Sequence, residues 1–118
     1  MAASKSPYIR LLHIQQEIDW MLETFADSTF EVFAANMLNV RAVERGFLII
    51  SEAAKSLPDE MLSAYPNIEW HAIRGFGNVL RHDYQVIEPR RLWVTIKTHL
   101  PELRTVVSDL LERNMPTQ

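Results

Sequence analysis

Apolar residues recur at three- and four-residue spacing along most of the chain, a period that predicts helices. Leu11, Ile14, Ile18, Met21, Leu22 and Phe25 share one stripe of a first helix over 6–25, with Glu17 and Glu23 on its solvent side. Ala26-Asp27-Ser28 breaks the pattern. Ser28 and Glu31 then have the Ser-x-x-Glu spacing of a capping box, in which side chains satisfy backbone amides at a helix start. The second helix they open runs to Lys55 or Ser56, with Phe33, Met37, Val40, Phe47, Ile50 and Ala54 along one stripe. Gly46 inside it costs about 1 kcal/mol relative to alanine, which is easiest to accept where another helix comes close or where this one bends.

Pro58 reads as the first-turn proline of a short helix over 59–64, and Tyr65-Pro66-Asn67 as a turn. A fourth helix covers 69–82. After a loop at 85–88, Pro89 opens a last helix through Leu92, Ile96, Leu103, Val107 and Leu110. Pro101 lies inside that pattern and predicts a kink, because proline removes one backbone hydrogen bond and crowds the preceding turn. No alternating strand pattern, repeat or low-complexity stretch interrupts the series. The fold class is all-α: one domain over 1–118, an antiparallel bundle of about five helices with short connections.

Composition narrows the chemistry. At 47% hydrophobic and 23% charged residues the chain is globular, and its 118 residues are enough for one core without staples. It contains no cysteine, which excludes disulfides, thiolate nucleophiles and cysteine-ligated metal centres. Neither a signal-type apolar region at the start nor a run of about 20 apolar residues is present, so a cytoplasmic protein is expected. The net charge of −3 argues against a broad nucleic-acid-coating surface, yet it is unevenly spread. Residues 1–70 carry five Lys/Arg against ten Asp/Glu, whereas residues 71–97 carry five against two. That distribution points to a local anion site on an acidic scaffold.

The basic segment contains Arg74-Gly75-Phe76-Gly77-Asn78-Val79-Leu80-Arg81-His82-Asp83-Tyr84, the densest group of reactive side chains in the sequence. At about 100° per residue, Arg74, Asn78, Arg81 and His82 fall on one face of the helix. Ile73, Phe76, Val79 and Leu80 fall on the other, with Gly75 and Gly77 on the borders. Mid-helix glycines are destabilising, so something large, a partner helix or a polynucleotide, is expected to approach that backbone. Arginine, asparagine and histidine together suit metal-free phosphodiester cleavage. Histidine can take the proton of an RNA 2′-hydroxyl, and guanidinium can stabilise charge building on phosphate oxygens. The product would be a 2′,3′-cyclic phosphate.

These residues also carry a resemblance. The run Val43 to Leu57 and the stretch Trp70 to Tyr84 are similar to the HepT-like branch of the HEPN-domain proteins, over most of the chain. The resemblance implies a small all-α homodimer and a ribonuclease toxin, with His82 as the catalytic histidine and Tyr84 as the tyrosine of the family signature. It also implies a partner, a small MntA-like nucleotidyltransferase antitoxin that adenylylates that tyrosine. The signature leaves four to six residues between an arginine and the histidine, and here the arginine positions are occupied by Gly77, Phe76 and Gly75. Arg74 is about 12 Å from His82 along the helix axis, and Arg81 points about 100° away from it. Asn78, one turn before His82, is best placed to touch it.

The site expected from sequence is therefore His82 as acid or base, Arg74 and Arg81 on phosphate, Asn78 orienting His82 or substrate, and Tyr84 as a modification site. Neither metal nor cofactor is implied. Two copies of the motif would line one groove if the fourth helices of two subunits face each other. Glu52, on a mostly apolar stretch, wants a basic partner or solvent, and the motif arginines are the partners expected. His13, His71 and His99 lack companions at metal-ligand spacing and read as surface or structural residues. Trp20, Trp70 and Trp93 read as core or interface. Two other readings stay open: a non-catalytic module that dimerises and binds a nucleotidyltransferase, and a purely structural helical dimer.

Overall fold

The structure, a computed structural model, describes residues 6–82 and 87–116. Among these residues every regular element is helical: α1 (Pro7–Thr24), α2 (Phe30–Ala35), α3 (Met37–Lys55), α4 (Asp59–Leu62), α5 (Trp70–His82), α6 (Pro89–Val94), a π-helical segment (Thr95–His99) and α7 (Leu100–Arg113). The starts of α1, α2 and α3 are fixed by short polar side chains that take up free amides. Ser6 Oγ accepts from Ile9 N at 3.3 Å and Thr29 Oγ1 from Val32 N at 3.2 Å.

The sequence-predicted second helix is in fact two. Its cap is Thr29, one residue after Ser28, and the rod breaks at Asn36. Asn36 is extended (φ −109°, ψ 102°) and its Oδ1 accepts from Asn39 N at 3.2 Å, so it ends α2 and caps α3 at once. Asparagine makes this possible because its side chain offers the backbone a partner outside the helical ladder. The break rotates the phase of the helix, leaving Met37 54% and Leu38 80% exposed although Met37 was expected on the apolar stripe. In the last helix the feature near Pro101 is the π segment that immediately precedes α7. Proline cannot donate to the carbonyl four residues back, and a wider turn relieves the crowding there.

The core follows the predicted stripes. Leu11, Ile14, Ile18 and Met21 of α1 meet Phe33, Val40 and Val43, with Leu92, Ile96 and Val107 closing the other side, all at most 2% exposed. Burying each such side chain contributes about 1.5–3 kcal/mol. Phe25, Phe33 and Trp93 pack ring on ring, with centroids 5.2 Å apart for Phe25–Phe33 and 5.4 Å for Phe33–Trp93. Gly46 lies where α1 crosses α3: a Cβ there would sit 3.0 Å from Met21 Cε and 3.4 Å from Trp20 Cζ2. That is the close helix approach expected for it. α5 packs mainly on α3 and leaves much of its circumference uncovered.

Candidate functional site

α5 is held to α3 by two devices. Ser51, 1% exposed on α3, accepts from Gly77 N and donates to Arg74 O, both at 2.9 Å. Gly77 is buried against it, and a Cβ at that position would lie 2.6 Å from Ser51 Oγ and 2.9 Å from Ser51 Cβ. The large neighbour expected near the glycines is thus α3 itself, at Gly77. Gly75 is different, since a Cβ there would have nothing within 4 Å.

The second device is Arg74. Its Nε donates to Ala54 O at 3.0 Å, its Nη2 to Leu57 O at 2.7 Å, and its Nη1 pairs with Asp59 Oδ1 at 2.8 Å. A guanidinium so placed satisfies carbonyls at the C-terminal end of α3, where the helix leaves acceptors without partners and favours positive charge. The bonds Ser51–Gly77 and Ala54–Arg74 show α3 and α5 to be antiparallel, so Arg74 reaches towards the end of α5 opposite His82. The structure therefore does not bring Arg74 and His82 together.

Arg81 and His82 end α5, both exposed. Arg81 Nη1 lies 3.3 Å from Glu52 Oε2, the partner expected for that carboxylate, and Lys55 Nζ shares the same oxygen at 3.3 Å. Asn78 and His82 make no side-chain hydrogen bond with the described residues, so the contact expected between them is not formed here. With His71 and Gly75 they form an exposed stripe at helical spacing along α5. Val79, expected on the apolar side, is 36% exposed, while Ile73, Phe76 and Leu80 pack on the core. Tyr84 and Asp83 lie outside the described residues. Among the described residues no three His, Asp or Glu side chains converge at metal-binding distance, and no helix is long and apolar enough to cross a membrane.

Two concave regions flank α5. One, of about 420 Å3, is largely apolar and lies between α5 and the π segment and α7, lined by Phe47, Ile73, Phe76 and Leu103. The other, of about 440 Å3, lies between α1, α3 and α5 and is polar. It contains Arg81 together with Arg10, His13 and Arg45, of which sequence reading singled out only Arg81 and His13. The missed signal is the spacing of Arg45, Glu52 and Ser56 on one stripe of α3.

The chain belongs to the family described as Ribonuclease HepT-like, whose model matches residues 14–110. It is 34% identical over 109 residues to a protein named "Putative RNase" from Caldanaerobacter subterraneus subsp. tengcongensis, covering 92% of this chain and 97% of that one. A "Probable ribonuclease HepT" from Thermococcus cleftensis is 31% identical over 91 residues, 77% of this chain and 83% of that one. A "Putative RNase" from Methanocaldococcus jannaschii is 28% identical over 107 residues, 87% and 92% of the respective chains. No solved structure gives a significant match.

Proposed function

We propose that the protein is a metal-independent endoribonuclease that cleaves RNA at the C-terminal end of α5. The observation that carries this reading is the exposed Arg81–His82 pair, with an imidazole free of hydrogen bonds to the described residues, in a chain of the HepT-like ribonuclease family. His82 takes the proton of the 2′-hydroxyl, and the 2′-oxygen forms a bond to phosphorus. The bond from phosphorus to the 5′-oxygen breaks, that oxygen takes up a proton, and a 2′,3′-cyclic phosphate remains. Arg81 stabilises the charge on the phosphoryl oxygens, with substrate phosphate displacing Glu52 from its guanidinium. Asn78 orients His82 or the RNA. Arg74 acts one step removed: its three bonds to the end of α3 support a positioning role for it, in place of the phosphate contact expected from sequence.

In the same reading the enzyme is a cytoplasmic homodimer, and the open α5 face around Gly75 is where the two copies meet. It is the toxin of a toxin–antitoxin pair. Its antitoxin, a MntA-like nucleotidyltransferase, transfers AMP from ATP to the Tyr84 phenol and releases pyrophosphate. The added anion lies two residues from His82 in sequence and competes with RNA for Arg81. Purified protein should cleave single-stranded RNA, and His82→Ala should lose that activity while keeping its fold. Equal cleavage by the variant, with contaminating nuclease excluded, would sink the mechanism. Co-expression with the partner should give a nucleotide adduct on Tyr84 by mass spectrometry.

A second reading, a non-catalytic module that binds the nucleotidyltransferase, is favoured by one observation. The arginine positions of the family signature are occupied by Gly77, Phe76 and Gly75, and at Gly77 a Cβ would meet Ser51 at 2.6 Å. Background cleavage together with tight complex formation would select it.

A further inference from the structure

The polar groove between α1, α3 and α5 carries an excess of positive charge over the carboxylates paired with it among the described residues. Arg10 and His13 enter it from α1, Arg45, Glu52 and Ser56 from α3, and Arg81 from α5. Three guanidiniums thus face one carboxylate, in a chain whose net charge is −3. Among the described residues Glu52 pairs with Arg81 and Lys55, while Arg10 and Arg45 enter no ion pair. Their side chains make no hydrogen bond with the described residues either. Guanidiniums spaced along one groove without carboxylate partners raise its local positive potential and favour an extended anion.

The groove also has a direction. α3 is antiparallel to α5, which puts Arg45 near the level of the Arg81–His82 end. Gly46 meets Glu17, Trp20 and Met21, and the groove gathers Arg10 and His13 with Glu52, Ala53 and Ser56, so α1 runs antiparallel to α3 with Arg10 and His13 towards the Ser56 end. From Arg45 to Ser56 the stripe is about 16 Å long at 1.5 Å per residue. That length exceeds a single phosphate. Leu48 and Ile49 supply an apolar wall between the charged ends, suited to a sugar or base.

We infer that this groove binds the RNA backbone next to the scissile phosphate held by Arg81, with Arg45 and Arg10 on neighbouring phosphates. The inference rests on the ribonuclease reading for its ligand class, but it concerns binding and not the chemical step. A strand whose phosphate reaches His82 passes Arg81 and enters the groove. RNA is favoured over an acidic peptide because arginines spaced along an extended stripe suit a repeating backbone charge.

The test uses a fluorescent single-stranded 2′-O-methyl RNA oligonucleotide, which lacks the attacking hydroxyl, with anisotropy measured from 25 to 200 mM salt. For single strands the slope of log affinity against log salt changes by about 0.7 for each phosphate contact. Arg10→Ala/Arg45→Ala should reduce the slope by about 1.4 and weaken binding about tenfold. Arg10→Lys/Arg45→Lys should restore the slope. Arg104→Ala/Arg113→Ala, which removes two guanidiniums from α7, should leave the slope at the wild-type value. An unchanged slope in the Arg10/Arg45 alanine variant overturns the inference, as does an equal loss in the α7 control or no binding by the wild type. The outcomes separate from those of the catalytic reading. Cleavage retained by His82→Ala with the slope still lost from the groove variant refutes the chemistry and keeps the site. His82-dependent cleavage with an unchanged slope does the reverse.

Discussion

Arg74 decides whether the guanidinium nearest the start of the motif serves the fold or the substrate. Replacing it with alanine removes one donor to each of two backbone carbonyls, Ala54 O and Leu57 O, and an ion pair with Asp59. A hydrogen bond to a charged group contributes about 1.5–3 kcal/mol net, towards the lower end where water can replace it. The Arg74 side chain is 27% exposed, so some replacement occurs. The Asp59 side chain is 90% exposed, which limits that pair to about 0–1 kcal/mol. Together the loss should be about 2–4 kcal/mol, or a fall in Tm of about 8–15 °C for a domain of this size. Urea denaturation followed by circular dichroism measures it. Asp59→Ala should cost less than about 1 kcal/mol, because it removes only the exposed partner and one helix-start charge. A value for Arg74→Ala within about 0.5 kcal/mol of wild type would refute the structural role. So would a fully stable Arg74→Ala protein that has lost RNA binding, since that result returns Arg74 to the phosphate.

The two glycines of α5 should respond with opposite signs to the same substitution. Gly75→Ala has open space and should gain about 0.5–1 kcal/mol from helix propensity. Gly77→Ala puts its Cβ 2.6 Å from Ser51 Oγ and 2.9 Å from Ser51 Cβ, and should lose about 1–3 kcal/mol by chemical denaturation. Equal shifts would mean that Ser51 does not set the α3–α5 spacing. On α7, Tyr65 Oη donates to Asp109, whose Oδ2 also accepts from Arg113 Nε at 3.0 Å. The bond from Tyr65 foremost, with Arg113 adding to it, holds the Asp109 carboxyl below the usual carboxylate range, and the same bond raises the phenol above its ordinary value. Depression of the carboxyl makes the folded state bind fewer protons, so its stabilisation is present above about pH 4 and fades as pH falls through the folded-state value. The raised phenol gives stabilisation present below about pH 10 that fades on further rise. Asp109→Asn should flatten the acid limb of a stability-against-pH curve, and an unchanged limb would contradict the assignment.

Most of the fold was legible because a stripe of apolar residues at helical spacing needs only a partner surface to become a buried face. Leu11, Ile14, Ile18 and Met21, and likewise Leu92, Ile96, Leu103, Val107 and Leu110, are all buried as their spacing predicts. The misplaced boundary at Asn36 has a local cause. Asn36 is compatible with both helix interior and helix cap, and its neighbours Phe33, Met37 and Val40 keep the helical period across the break. Periodicity therefore reads through a residue whose backbone is extended. Only the hydrogen bond from Asn39 N to its side chain separates the two states, and that bond leaves no trace in hydrophobic pattern.

The candidate site was read from residue types along one helix, and the part that the structure changes, the placement of Arg74, has a cause that Gly77 shares. A helical wheel places residues by angle around one helix, and it put Arg74, Asn78, Arg81 and His82 on one face. Whether a long side chain on that face turns to solvent or to a neighbour depends on which acceptors the adjoining helix ends leave unsatisfied. α3 ends beside Arg74, so its carbonyls capture that guanidinium, whereas among the described residues Arg81 pairs with the half-buried Glu52. Gly77 follows from the same packing. With Ser51 inserted against the α5 backbone, a side chain at position 77 would force Ser51 or the helix to shift, which disfavours the long arginine side chain most. Arg81 is the next residue one turn along that lies on nearly the same side of α5, within about 40° of Gly77. A guanidinium excluded from 77 by Ser51 can be supplied from 81, at the mouth of the groove that also holds Arg10 and Arg45. Close packing of α3 on α5 thus accounts for the glycine at 77, whereas Gly75, at the far end of the signature's range, has open space and is not excluded by that packing.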